Sequence, residues 1–288
     1  MESRLKIVLE RRPHTAPLLD GTLPPPRGLD VEFVEVKPVN RAFRRMVRDL
    51  EFDICEMAVV THYLARARGC PFLALPVFPA RHFPHPAFEC GKGSGIAGPA
   101  DLAGKRVGSR SFTMTTAVWA RGVLARQFGI DTGGVTWVVA DEEHVPGLTL
   151  PPNVVRAPGA DLRAMLRAGD LQAGIGLNAA DDSVYPLWQD PSPAEREWLA
   201  RTGAEPINHT VVVREELLRT YPGIGHDLYL WFAAALEMAG PGAATAGPYG
   251  MTDANRTSLE VLLGLTRDEF GAERGLPSTP EHAFVRVK

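Results

Sequence analysis

The sequence predicts an α/β protein of two lobes, each a mostly parallel sheet flanked by helices, with a cleft between the lobes. Two observations carry this. Apolar stretches of strand length alternate with stretches of helical period, the order that gives crossover connections and hence parallel pairing. The alternation also starts afresh after a run of small residues, "GKGSGIAGPADLAGK" (91–105), so the 288 residues divide into two units of ordinary domain size.

In order along the chain, "LKIVLE" (5–10) and "LDVEFVEV" (29–36) read as strands. "NRAFRRMVRDL" (40–50) sets Phe43, Met46, Val47 and Leu50 at helical spacing, and the apolar strand "FDICEM" (52–57) follows. "AVVTHYLARARG" (58–69) is a helix and "FLALPVF" (72–78) a strand. Past the small-residue run come strand "KRVGS" (105–109), helix "TMTTAVWARGVLARQFG" (113–129) and strand "VTWVVA" (135–140). Helix "ADLRAMLRAGD" (160–170), strand "AGIGLN" (173–178) and the serine-capped helix "SPAEREWLARTG" (192–203) complete the second unit. "INHTVVVR" (207–214) is strongly β-prone and returns the chain to the first lobe. Two helices end the chain, "GHDLYLWFAAALEMA" (225–239) and "DANRTSLEVLLGLTRDEF" (253–270), with the loop "GPGAATAGPYG" (240–250) between them. The first lobe is therefore discontinuous, 1–90 with 210–288, and 91–209 is an insert.

Composition excludes several classes. With 45% hydrophobic and 23% charged residues the chain is an ordinary globular one. A net charge of −3 without like-charge runs argues against nucleic acid or a membrane surface as partner, and no apolar run is long enough to span a bilayer. The opening "MESRLKIVLE" lacks the basic and apolar regions of a secretory signal, which points to the cytoplasm. Cys55, Cys70 and Cys90 are odd in number and not closely paired, the pattern of reduced buried thiols. Self-association is left open.

The densest chemistry is "FPARHFPHPAFE" (78–89), where Arg81, His82 and His85 stand among prolines that stiffen the loop. A preorganised arginine fork suits a carboxylate; the competing reading is a solvated hinge. Ser111, Thr113, Thr115 and Thr116 cluster where a helix follows a strand, a place that greets an anion or simply caps the helix. Arg121 interrupts that helix's apolar face, and it either reaches a ligand or pairs with an acid elsewhere. Glu56 ends an apolar strand, where partial desolvation is expected to raise its pKa and let it hold a proton. His209 begins the returning strand, and "RRPHTAPL" (11–18) offers His14 and Thr15 at the edge of the first. There is no phosphate-binding glycine loop, zinc helix or nucleophile elbow. No cofactor is expected, and histidine spacing lends no support to a divalent metal.

The segments "FDICEMAVVTHYLARARG", "ALPVFPARHFPH", "DLAGKRVGSRSFTMTTAVWARGVL", "HTVVVREELLRTYPG" and "YGMTDANRTSLEVLLGL" occur in an order that resembles the 4,5-dihydroxyphthalate decarboxylase-like family, related to type 2 periplasmic-type solute-binding proteins. The resemblance departs from the family at Pro84, Pro86 and Asn208. It implies the two-lobed type 2 periplasmic-binding-protein-like fold and a small aromatic carboxylate as partner. By position it carries over Arg81 and His85 as the basic loop, Glu56 as the acidic strand end, Thr116 and Arg121 on the helix, and His209 on the returning strand. The implied reaction is decarboxylation of a hydroxylated aromatic (di)carboxylate through protonation of the ring. His85, His209 and Glu56 would be catalytic, with Arg81, Arg121, Thr15, Ser111, Thr113 and Thr116 binding substrate. The alternative is a solute-binding protein that takes up a small carboxylate without chemistry.

Overall fold

A computed structural model describes residues 4–179, 182–243, 246–271 and 273–287. Ala244 and Thr245 of the expected glycine-rich loop, and Met1 to Ser3 of the N-terminus, lie outside the described residues. The strands are β1 (Leu5–Val8), β2 (Val31–Phe33), β3 (Ile54–Ala58), β4 (Phe72–Arg81), β5 (Phe88–Gly91), β6 (Arg106–Ser109), β7 (Thr136–Val139), β8 (Val154–Arg156), β9 (Ala173–Ile175), β10 (Val184–Pro186) and β11 (Ile207–Arg214). They form two mixed sheets, ordered β2-β1-β3-β11-β4 and β10-β5-β9-β6-β7-β8.

In each sheet one strand runs against the rest, β11 in the first and β5 in the second. Both are the first strand laid down after the chain crosses between sheets. The carboxyl ends of the other strands face the partner sheet, so a chain arriving from that side must enter running the opposite way. The crossings fall between Arg81 and Phe88 and between Pro186 and Ile207, so the strand Phe88–Gly91 hydrogen-bonds in the second sheet.

The helices are α1 (Ala16–Leu19), α2 (Asn40–Asp49), α3 (Val59–Ala67), α4 (Thr115–Arg126), α5 (Leu162–Ala168), α6 (Ser192–Thr202), α7 (Glu215–Thr220), α8 (Ile224–Ala239) and α9 (Asp253–Phe270). Helix α2 buries Ala42, Phe43, Met46 and Val47, as its spacing requires. Leu50, expected on that face, takes φ 48° and ends the helix instead. Helix α4 is buried on nearly every side because it is wedged between the sheets, touching α3, α9 and β11 on one side and β9 on the other. Gly122 makes room for this: a Cβ there would lie 2.4 Å from Leu265 of α9. One apolar core consequently runs from the first sheet through α3 and α4 into the second. The outer edge of β4 is covered by the C-terminal segment, whose Val285 N–H donates to Ala74 O at 2.7 Å, which blunts an otherwise open strand edge. Among the described residues no helix is long and apolar enough to cross a membrane.

Candidate active site

A cleft of about 420 Å³ opens between the start of α2 and the loops that follow β6 and β7, lined by Pro38, Asn40, Arg41, Arg44, Arg110, Asp141 and His144. Two larger hollows, about 550 and 620 Å³, flank the segment Phe284 to Arg286 along the β4 edge of the first sheet. Their walls are mainly apolar and share a single arginine, Arg286, against three in the cleft. The cleft also lies where strand carboxyl ends converge, the usual ligand position in open α/β sheets.

Across the ring of Phe43 from the cleft's His144 is a buried ion pair with a histidine attached. Glu56, fully buried on β3, receives both arms of the Arg12 guanidinium at 2.9 and 2.8 Å. It also takes the Glu10 N–H at 2.9 Å and His209 Nδ1 at 2.6 Å. Three N–H donors, two from Arg12 and one from Glu10, point at the carboxylate beside the His209 contact and favour its ionised form. Burial alone would raise the pKa, but the His209 and Arg12 hydrogen bonds and charges outweigh it and bring it down to about 2. The expectation that Glu56 holds a proton near neutrality is overturned: it is a fixed anion whose role is to orient Arg12 and His209. His209 Nδ1 therefore carries the hydrogen, and no protein group among the described residues bonds Nε2. Thr15 supports this group from behind. Its hydroxyl donates to Glu10 O at 2.6 Å and accepts the Arg12 N–H at 2.8 Å, fixing the turn that delivers Arg12.

Two further histidines stand near this group, His144 in the cleft wall and His82 after β4. His209 and His144 both meet the ring of Phe43 edge-on, with centroids 5.2 and 5.6 Å away. His82 bonds Thr116 Oγ1 at 3.0 Å through Nε2, and Asn208 Nδ2 donates to the same hydroxyl at 3.2 Å. Asn208 Oδ1 in turn accepts the His82 N–H at 2.8 Å, tying the loop after β4 to β11. Solvent reaches His82, yet protein crowds it; desolvation, followed by the charges of His209 and Arg12, pushes its pKa down to about 4. His144 is nearly buried, and desolvation with the charges of Arg110, Arg44 and Arg48 holds it at about 3.

Of the residues expected from the sequence, Glu56 and His209 bond each other and Thr116 is held by His82 and Asn208, and none of the three lines the 420 Å³ cleft itself. The others are engaged elsewhere. His85 is buried in the second lobe, with Nε2 3.1 Å from Gln127 Oε1 and its ring against Trp188. Gln127 lies at the far end of α4 from Thr116, roughly 16 Å along the axis at 1.5 Å per residue. Arg121 points away from the cleft to grip Glu269 of α9 at 2.5 and 2.6 Å, and it stacks on Phe112 at 3.7 Å. Arg81 is buried, but Asn255 Oδ1 and Pro248 O accept its hydrogen bonds and Glu205 lies 3.8 Å away. At the start of α4, Glu143 supplies the anion from within the protein. Its carboxylate accepts the Phe112 and Thr113 N–H groups at 2.8 and 3.1 Å and the Thr113 hydroxyl as well. Among the described residues the buried Ser111 hydroxyl has no partner. Arg12, Arg110 and His144 are the residues that sequence reasoning missed. Arg12 sat one residue from its neighbour in an arginine pair, and "DEEH" (141–144) lies in no regular element. Among the described residues no group of three or more His, Cys, Asp or Glu is disposed to hold a metal ion.

The architecture is that of the periplasmic binding proteins. Over 99% of this chain and 98% of theirs it matches the alkanesulfonate-binding protein SsuA from Xanthomonas axonopodis pv. citri bound to MOPS, at 15% identity and a TM-score of 0.58. The periplasmic aliphatic sulphonate binding protein SsuA from Escherichia coli matches at 14% identity and a TM-score of 0.63, over 100% of this chain and 94% of that one. Such identities establish the fold alone. In sequence, the chain is 31% identical to 4,5-dihydroxyphthalate decarboxylase of Comamonas testosteroni, over 95% of this chain and 84% of the relative. It is 34% identical to the enzyme of the same name from Pseudomonas putida, over 63% of this chain and 76% of the relative. The chain belongs to the 4,5-dihydroxyphthalate decarboxylase family. No protein-family model matches it.

Proposed function

We propose that the protein is a carboxy-lyase that removes carbon dioxide from a hydroxylated aromatic dicarboxylate of the 4,5-dihydroxyphthalate type, by protonating the ring carbon that bears the leaving group. The observation that carries this reading is His209, backed at Nδ1 by an ionised Glu56, with Nε2 bonded by no protein group among the described residues, and standing across the Phe43 ring from His144 of the arginine-walled cleft. A carboxylate in that position holds the imidazole in one tautomer and balances its charge when protonated. Arg41, Arg44 and Arg110 hold the acid groups of the substrate, and a ring hydroxyl para to the leaving carboxylate releases electrons toward the carbon to be protonated. His209 gives its Nε2 proton to that carbon. The bond to the carboxylate then breaks, its electron pair returns to the ring, carbon dioxide leaves and His209 regains a proton from water. Positioned proton transfer supplies about 10²–10⁴-fold, so fixed charge around the cleft supplies much of the remainder.

The test is carbon dioxide release from 4,5-dihydroxyphthalate by the purified protein. Turnover with 3,4-dihydroxybenzoate as product supports the reading. Binding without release would replace it with that of a receptor for a small carboxylate.

A further inference from the structure

Three consecutive side chains after β7 each bind a different part of the molecule. Glu142 is clasped by α2, its carbonyl accepting from Arg44 at 2.9 Å and its carboxylate from Arg48 at 3.3 Å. Glu143 anchors the loop before α4. His144 crosses to α3, where its Nδ1 lies 3.2 Å from Thr61 Oγ1. A loop pinned at three successive residues presents the His144 ring in one orientation.

The tautomer of that ring follows from its partner. Thr61 is 1% exposed, and among the described residues its hydroxyl has no contact that could accept its hydrogen other than His144 Nδ1. A buried hydroxyl that donates to nothing is costly, so Thr61 donates and Nδ1 accepts. The hydrogen of a neutral His144 is then on Nε2, which no protein group among the described residues binds and which belongs to a residue lining the cleft. His209 is the reverse case, with Nδ1–H committed to Glu56. We infer that His144 is a fixed hydrogen-bond donor of the site, offering Nε2–H to an oxygen of the bound acid, and that Thr61 is the positioning residue that sets this tautomer. The inference rests on the cleft being the ligand site. It divides labour between two histidines on one phenylalanine ring: His209 exchanges a proton, and His144 only donates a hydrogen bond.

The charged and titratable groups around His144 agree. Arg44 and Arg48 of α2, Arg110 after β6 and His209 of β11 all act on it, and their positive charges disfavour an imidazolium. Asp141 is drawn instead toward Arg110 at 3.8 Å, and Glu142 and Glu143 are held by the partners named above. A neutral imidazole that polarises an oxygen without giving up its proton is an established way of stabilising charge on a substrate.

The experiment is a long-range proton–nitrogen correlation spectrum of the whole protein with ¹⁵N-labelled histidine. The His144 signals are assigned by their loss in His144→Gln, and spectra are taken with and without 3,4-dihydroxybenzoate. The expected result is a neutral Nε2–H ring from about pH 6 to 8, whose Nε2–H resonance moves when ligand saturates, and a mixture of tautomers in Thr61→Val that Thr61→Ser restores. A ring with its proton on Nδ1, an imidazolium, or a resonance indifferent to bound ligand overturns the inference. Absence of any ligand binding overturns the reading of the cleft itself, a separate outcome. Where carbon dioxide is released, His144→Leu lowers kcat about 10²-fold with KM nearly unchanged, the usual cost of one lost donor, while His144→Gln, which keeps an N–H at similar reach, stays within about tenfold. Equal loss in the two variants would make His144 a proton carrier and contradict the assignment.

Discussion

Glu56 shows how a single residue's role is set by the number of hydrogens aimed at it. A carboxylate with three N–H donors aimed at it beside the His209 contact is held ionised and does not act as an acid. Glu56→Gln therefore turns an N–H₂ group toward donors and removes the buried carboxylate from Arg12, leaving it the half-exposed Glu10. Thermal or denaturant unfolding should show a loss of about 3–5 kcal/mol, the cost of breaking a buried pair from one side. The same logic explains why the loop after β4 was misread at His85. The short turn His85–Ala87 sends His85 into the second lobe while His82 remains beside Thr116. Residue types and spacing carry no information on that choice; tertiary packing makes it.

At the scale of elements, α4 and α9 form the joint between the two halves. Arg121 is its buried polar contact, with Glu269, Phe112 and Trp137 around it, and Arg126 meets Asp268 at 2.8 Å on the exposed side. Arg121→Met should cost about 3–5 kcal/mol by leaving Glu269 without its partner, yet hold kcat within a few-fold once folded; a drop in kcat at intact stability would return Arg121 to the ligand site. The long elements were legible because burial on one face writes a period into the sequence, as in the Ala42, Phe43, Met46 and Val47 stripe of α2. Strands β5, β8 and β10, of three or four residues, and helices α1 and α7 are too short to display a period. Glu56 and His209 were legible for a related reason, standing near the cleft ends of two clearly apolar strands. Arg12, Glu143 and His144 lie in loops, where position depends on side-chain bonds to distant segments.

The whole molecule pairs a modest negative net charge with a concentrated positive cleft, and its histidines link stability to pH. His62 is fully buried, bonds Ala283 O at 2.8 Å, and is pushed by burial from 6.5 to about 4. As pH falls below 6.5 the unfolded chain takes up that proton first, so stability declines from about pH 6.5 and the loss from this group levels off near 4. Glu56, lowered from 4.5 to about 2, adds a second decline across that lower window, because the unfolded chain again protonates first. Denaturation series at pH 7, 5.5 and about 4 should show the first decline, and His62→Gln should make it shallower, with His82 and His144 supplying the remainder.

The central claim is that His209, held by Glu56, delivers the proton that replaces carbon dioxide. Single-turnover release of carbon dioxide from saturating 4,5-dihydroxyphthalate, compared between the native protein and His209→Asn, tests it most directly. The account predicts bound substrate in both and release at least about 10²-fold slower in the variant. Equal rates at equal occupancy would contradict it.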